Sequence, residues 1–482
     1  MPAYYLEIVI VVLGLAILMA EAFSGPKAKR AIGYTALAAV LLVFGLLTTV
    51  VPHSASFAPG PWAFYSDDKL ALFYKGIALL CTAGVIVLGL DYGPVLEKFS
   101  ARAGGGPATG EFFCLPLFVC AGMMWMASAT DLASIFLSLE LTTIGLYILV
   151  AYMRRNVGSL EAGVKYLILG ALSTGFLVYG FAWLYGITGK VSLSGIAAAL
   201  PSAPAAPALF SFALIMVALA FKAGAVPFHL WVPDVYQGAP TPITAFLSVG
   251  SKAAGFAVAG RLLEPFLAAE QLRGTVAAIL MAIAAATLVL GNLAAIPQTN
   301  FKRLLGYSSI AHAGFLFLTL GAGASVGSLS PRMIVAYYLA GYLCMTLTAF
   351  AVLVVINRTD GSDDLRAFDG LRTRSPFLAF AMTVAVASLA GIPLTAGFTG
   401  KFLAFSSAAS AQQWSLLAIA VAGAAAGFYY YFKVLRHIFW NRAADGAPAI
   451  TVPLLTKVLL LALIAGTFFV GIFFQQVVNL IR

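Results

Sequence analysis

Four charged side chains stand in stretches that are otherwise almost wholly apolar. Glu140 lies in Phe136-Leu137-Ser138-Leu139-Glu140-Leu141, nine residues into a run that starts at Asp131. Lys222 lies in Leu219-Ala220-Phe221-Lys222-Ala223-Gly224-Ala225-Val226-Pro227, and Lys252 in Leu247-Ser248-Val249-Gly250-Ser251-Lys252-Ala253. Lys401 follows the glycine- and proline-rich Gly391-Ile392-Pro393-Leu394-Thr395-Ala396-Gly397-Phe398-Thr399-Gly400. Ten residues into its run, Lys252 is about 15 Å deep at about 1.5 Å per residue, too deep to snorkel. A charge at the middle of a spanning helix costs about 2.5–3.5 kcal/mol on insertion scales, and chains keep one mainly where it faces a protein interior or a water path. Burial favours a neutral amine and a neighbouring carboxylate favours the ammonium, so a lysine balanced between them can load and release a proton. One deep carboxylate and three deep lysines are therefore read as a proton relay. Lys165 after Glu161, His229 just past Pro227, His312 in Ile310-Ala311-His312-Ala313-Gly314, and Lys433 are secondary stations. The bland alternatives are a carboxylate paired for packing, a snorkelling lysine and a satisfied core histidine.

The elements that must position these groups follow from composition. Of 482 residues, 62% are hydrophobic and 10% charged, with a mean hydropathy of +0.98; a soluble domain carries about 25% charged residues. The apolar runs are continuous, not alternating, which excludes a β-barrel and indicates an all-α polytopic membrane protein. At about 20 residues per span, the sequence predicts fourteen spans. They centre near Leu13, Leu41, Ala83, Ala121, Leu141, Gly175, Ala218, Ala253, Ala285, Phe315, Cys344, Val386, Ala422 and Ile464. The stretch from Pro376 to about Ala408 is too long for one straight helix and reads as a broken one. The N-terminal run from Tyr4 lacks a basic leader and is expected to remain as the first span.

The net charge of +10 comes from bases in short loops, which orient membrane proteins and are no nucleic-acid signal here. With the N-terminus outside, 16 of the 28 bases fall in cytoplasmic loops and six on the outer face. Both termini are therefore expected on the outer face of the membrane. Cys81, Cys114, Cys120 and Cys344 form no CxxC pair and suggest neither an iron–sulfur nor a zinc site. Gly104-Gly105-Gly106 follows no strand and is not a nucleotide fingerprint.

Internal repeats with interrupted helices point to a transporter core. Lys222 and Lys401 are 179 residues apart, each in an interrupted span, and Lys252 and Lys433 are 181 apart, each in the following span. This spacing predicts two inverted five-span repeats, residues 112–270 and 271–445. A three-span segment, 1–111, precedes them and one span, 446–482, follows.

The stretch Ala220-Phe221-Lys222-Ala223-Gly224-Ala225-Val226-Pro227-Phe228-His229-Leu230-Trp231-Val232-Pro233-Asp234-Val235-Tyr236-Gln237-Gly238-Ala239-Pro240 closely resembles the signature of the antiporter-like subunits of respiratory complex I. Mrp-type cation/proton antiporter subunits share much of it. The Gly391–Phe402 and Tyr337–Phe350 stretches are similar too, and the resemblance spans the chain. It implies a central carboxylate–lysine pair at Glu140 and Lys222, a middle lysine at Lys252 and a terminal lysine at Lys401. The M type usually has Glu at that last position, and the L type has a long lateral helix that is not expected here, so the N type fits best. The family implies proton translocation driven by quinone reduction in other subunits. NAD, FMN, iron–sulfur clusters and quinone would sit in those partners, with no cofactor or metal in this chain. Subunits K and M are the implied neighbours. An Mrp-type Na⁺/H⁺ antiporter subunit and subunit M are the alternative readings.

Overall fold

In a bilayer every backbone N–H and C=O must find its partner within the protein, so continuous apolar runs become helices. The computed structural model describes residues 2–25, 29–50, 64–100, 110–443 and 447–482. The Gly104–Gly106 run, Lys27 and Arg102 lie outside the described residues. The helices begin with α1 (Tyr4–Ala22), α2 (Lys29–Leu47), α3 (Lys69–Asp91), α4 (Gly93–Ser100), α5 (Gly110–Ser128), α6 (Leu132–Val150) and α7 (Val157–Thr188). Next come α8 (Leu193–Ala199), α9 (Ala205–Ala223), α10 (Trp231–Gly238), α11 (Thr241–Phe246), α12 (Lys252–Ala268), α13 (Glu270–Ala295) and α14 (Phe301–Ala322). The last seven are α15 (Pro331–Asp360), α16 (Leu371–Arg374), α17 (Pro376–Ala390), α18 (Ala396–Ser410), α19 (Trp414–Phe439), α20 (Leu454–Ile472) and α21 (Phe474–Ile481).

Among the described residues, twelve helices are long and apolar enough to cross a membrane. The α2 run and α17 are shorter apolar helices. All fourteen expected centres fall within helices. The α11–α12 run is buried throughout and α14 and α15 nearly so, whereas α1, α7, α19 and α20 bury about a third of their length or less. The middle of the bundle is thus made by α11–α12, α14 and α15, and apolar side chains of the outer helices face outward.

Both expected interruptions are present. Helix α9 ends at Ala223 because Gly224 adopts a left-handed φ of +73°, and the Ala225 amide bonds the Ala220 carbonyl at 2.8 Å. Glycine takes that conformation without steric cost, which makes it the usual residue just past a helix end. Gly224, not Pro227, stops the helix; the proline lies in the turn that follows. Helix α17 stops in the same way at Gly391, with φ +95°. Its partner α18 comes back so closely that a Cβ on Gly397 would sit 1.8 Å from the Ser388 carbonyl oxygen. Between α11 and α12, Leu247–Ser251 form a π-helical turn directly before Lys252; such turns are frequent at functional sites.

The N-terminal helices are pinned to the rest on the face opposite Arg303 and Arg358. Residues 64–66 pair with 128–130, through the Ser66 amide on Ser128 O at 2.7 Å and the Thr130 amide on Phe64 O at 3.0 Å. Beneath them the wholly buried Lys75 of α3 meets Glu7 of α1 at 2.7 Å, and Tyr65 donates to Glu7. Arg261 of α12 reaches Asp68 at 2.8 Å and the Ala127 carbonyl at 3.1 Å. Burial alone would raise the Asp68 carboxyl, but Arg261 and the Ala71 amide hold it below the ordinary carboxylate range.

Candidate functional site

Lys222 is in the last turn of α9, beside the break, and is buried. Its Nζ donates to Thr143 Oγ1 of α6 at 3.0 Å. Glu140, on the same helix as Thr143, is half-buried and accepts from Thr174 Oγ1 of α7 at 2.8 Å. No ion pair joins Glu140 to Lys222 among the described residues. A cavity of about 10 Å³ lined by Thr143, Ser173, Thr174 and Lys222 lies beside the amine, near the lower limit for one water. The carboxylate and the amine are thus neighbours through hydroxyl groups, and Glu140 also lines an apolar groove of about 540 Å³ between α6 and α7.

The stem of Lys222 crosses α12. A Cβ on Gly255 would meet Lys222 Cγ at 3.1 Å, three residues beyond Lys252. Lys252 points the other way, into α14. Its Nζ donates to the Ser309 carbonyl at 2.5 Å and lies 5.7 Å from the centre of the Tyr342 ring. Around it, Tyr236 and Ser309 hydroxyls are 3.1 Å apart, and those of Ser248 and Tyr342 3.0 Å.

Lys401 closes the line. Its Nζ donates to the carbonyls of Leu389 at 2.9 Å and Ala390 at 2.8 Å, the last two residues of α17. Terminal carbonyls have no partner within their own helix and carry the negative end of its dipole, so an ammonium fits there. Between Lys252 and Lys401 stands buried His312, with Nδ1 2.6 Å from Tyr338 OH and Nε2 3.3 Å from Tyr431 OH. Tyr431 OH is in turn 2.5 Å from Ser308 Oγ, beside the Ser309 that holds Lys252. Hydroxyl and imidazole groups both accept and donate, so this chain can pass a proton without a net charge resting on an apolar side chain.

The secondary stations separate into two kinds. His312 belongs to the line. Lys165 does not: its side chain is 41% exposed and pairs with Glu161 at 2.7 Å and Asp234 at 2.8 Å at the protein's polar face. Lys433 caps carbonyls of the α13–α14 turn, Gln298 O at 2.9 Å being the nearer. His229 is buried between α9 and α10, and its Nδ1 has no hydrogen-bond partner among the described residues. Thr143, Thr174, Ser309, Tyr338 and Tyr431 were not singled out by sequence. The i, i+4 pairs Ser308/His312 and Tyr338/Tyr342 put polar groups on one helical face and are the signal that would have found part of this set.

Comparison with known proteins agrees with this fold. The family model for the NADH:quinone oxidoreductase/Mrp antiporter transmembrane region matches residues 129–426. NADH-quinone oxidoreductase subunit N of Trichlorobacter lovleyi is 38% identical, over 98% of this chain and 96% of that one. A chain of respiratory complex I from Thermus thermophilus is 31% identical with a TM-score of 0.80, covering 98% of both chains. A chain of the Mrp complex from Dietzia has a TM-score of 0.81 at 21% identity, over 99% of this chain and 96% of that one, a likeness of fold alone. The fold and the matches define a multi-pass membrane protein of antiporter-like architecture. The chain belongs to the NADH:quinone oxidoreductase/Mrp antiporter transmembrane family, alongside its subunit N members.

Proposed function

We propose that this chain is an N-type, proton-translocating subunit in the membrane arm of an NADH–quinone oxidoreductase, working with quinone reduction in other subunits. One observation carries the reading. Lys222, Lys252 and Lys401 are all buried, and among the described residues none has a carboxylate within ion-pair distance; carbonyl and hydroxyl oxygens hold them instead. A structural buried charge is normally paired, because an isolated one costs several kcal/mol, on the order of 3–5 when its partner is lost. Amines held only by neutral oxygens keep a place for the ammonium yet can give the proton up. In this reading Glu140 sets the field at Lys222, Lys252 carries the proton across the middle, and the Ser308–Tyr431–His312–Tyr338 groups lead towards Lys401. The subunit itself would carry no redox centre, and its neighbours would be subunits K and M. The two units 112–270 and 271–445 would be inverted repeats, one holding the α9–α10 break and the other the α17–α18 break.

The test against an Mrp-type antiporter subunit is solubilisation in mild detergent and a native gel. The chain is expected to co-migrate with NADH dehydrogenase activity; migration without it refutes the assignment to a quinone oxidoreductase. Orientation has its own test. With both termini periplasmic, a reporter active only in the cytoplasm and fused after Arg482 is expected to be silent. A strong cytoplasmic signal would place an odd number of spans before it and break the inverted-repeat relation.

A further inference from the structure

On the face that bears the excess of basic residues, a vestibule of about 990 Å³ opens between α4, α7, α10, α14 and the end of α15. Its charged groups are mostly matched in pairs: Lys165 and Arg303 share Asp234, and Arg358 holds Asp91. One pair differs in burial. Lys302 is 4% exposed and meets Asp363 Oδ2, 18% exposed, at 2.8 Å. Lys302 also donates to the Ala239 carbonyl at 3.1 Å, and Asp363 Oδ1 accepts from Asn357 at 2.6 Å. Both residues line the vestibule, and Lys302 stands on the helix that leads inward. Lys302 is seven residues, two turns or about 10 Å, before Ser309 on α14, whose carbonyl holds Lys252. Tyr236 fills the interval: a Cβ on Gly306 would lie 3.5 Å from its ring, and its hydroxyl reaches Ser309 Oγ.

We propose that the Lys302–Asp363 pair is the controlled intake through which protons pass from the vestibule to Lys252. This rests on the reading of Lys252 as a proton carrier. Asp363 takes a proton from hydronium in the vestibule, leaving water and a neutral carboxyl group that no longer holds Lys302. The carboxyl then gives that proton inward through water entering from the vestibule, which bridges the interval to the Tyr236 and Ser309 hydroxyls, each accepting one proton and releasing another. A neutral Lys252 amine becomes an ammonium, and Asp363 returns to a carboxylate that pairs with Lys302 again. With the pair closed, the Lys302 cation stands at the mouth of the path and repels further protons.

The pair also ties α14 to the loop after α15, so the test must separate conduction from a structural tie. Lys302→Met and the double variant Lys302→Met/Asp363→Asn both lack the ion pair, and neither leaves an unpaired buried cation. They differ in the carboxylate alone. Each is assayed as the assembled complex in proteoliposomes, with NADH–ferricyanide activity as the assembly control. Lys302→Met is expected to translocate protons at half the unmodified rate or more, and the double variant at least about tenfold more slowly, since a positioned proton-transfer group typically contributes about 10²–10⁴-fold. Equal rates in the two variants, whether both high or both low, overturn the proposal. Lys252→Met in the same preparation tests the parent reading. If it pumps normally, the relay itself is wrong; if it is inactive while the two variants are equal, only the intake is wrong.

Discussion

Glu140→Ala is expected to slow proton-coupled quinone reduction at least about tenfold, a loss of about 1.4 kcal/mol in barrier terms, while NADH–ferricyanide activity persists. Glu140 accepts from Thr174, which lines a water-sized cavity beside Lys222, and no direct bond joins the carboxylate to the amine among the described residues. Its effect on Lys222 is therefore one of field, and a field does not depend on side-chain shape. Glu140→Gln keeps the volume and the Thr174 contact but removes the charge, so it should be as slow as Glu140→Ala. Thr143→Val removes the hydroxyl that accepts from Lys222 and leaves the charges in place. It should give a smaller loss, with the proton-to-electron ratio lowered more than turnover. Wild-type pumping in both Glu140 variants would remove the carboxylate from the mechanism.

The four principal charges were legible in the sequence for a physical reason. A lysine or carboxylate amid apolar neighbours is expensive, so its presence alone marks an interior polar path. Both helix breaks were legible as well, since glycine and proline act on the local backbone. Which residue acts is finer. Gly224 ends α9 because a left-handed φ can end a helix on its own, whereas the more conspicuous Pro227 falls after the end. What each lysine bonds was not legible. Thr143, Ser309 and Leu389 are 79, 57 and 12 residues from their lysines, and serine, threonine and tyrosine are common enough in spanning helices to raise no alarm. Nor was the pairing of Lys75 with Glu7 legible, because Glu7 sits in the first turn of α1, where a carboxylate is ordinary. Lys165 read as a station inside or near a span. Its three-sided contact with Glu161, Asp234 and the vestibule comes from α10 folding back beside α7, which no local pattern announces.

Lys401→Arg is expected to leave the complex assembled and to stop most proton transfer, again by about tenfold or more. The ammonium of Lys401 satisfies the last two carbonyls of α17, and its stem lies against Gly391, where a Cβ would come within 3.1 Å of Lys401 Cδ. Arginine supplies a fixed positive charge and donors for the same carbonyls, so the end of α17 keeps its cap and its favourable dipole interaction. It cannot release a proton in a protein. Lys401→Met is the opposite case: it leaves Leu389 and Ala390 without that donor at a buried break, so lowered stability of the α17–α18 turn is expected alongside lost transfer. The two variants together divide the roles of the side chain. If Lys401 only anchors the broken helix, Lys401→Arg pumps at the unmodified rate with an unchanged proton-to-electron ratio and Lys401→Met alone is impaired. If Lys401 carries the proton onward from His312 and Tyr338, both fail, and Lys401→Arg fails in a complex that is otherwise intact.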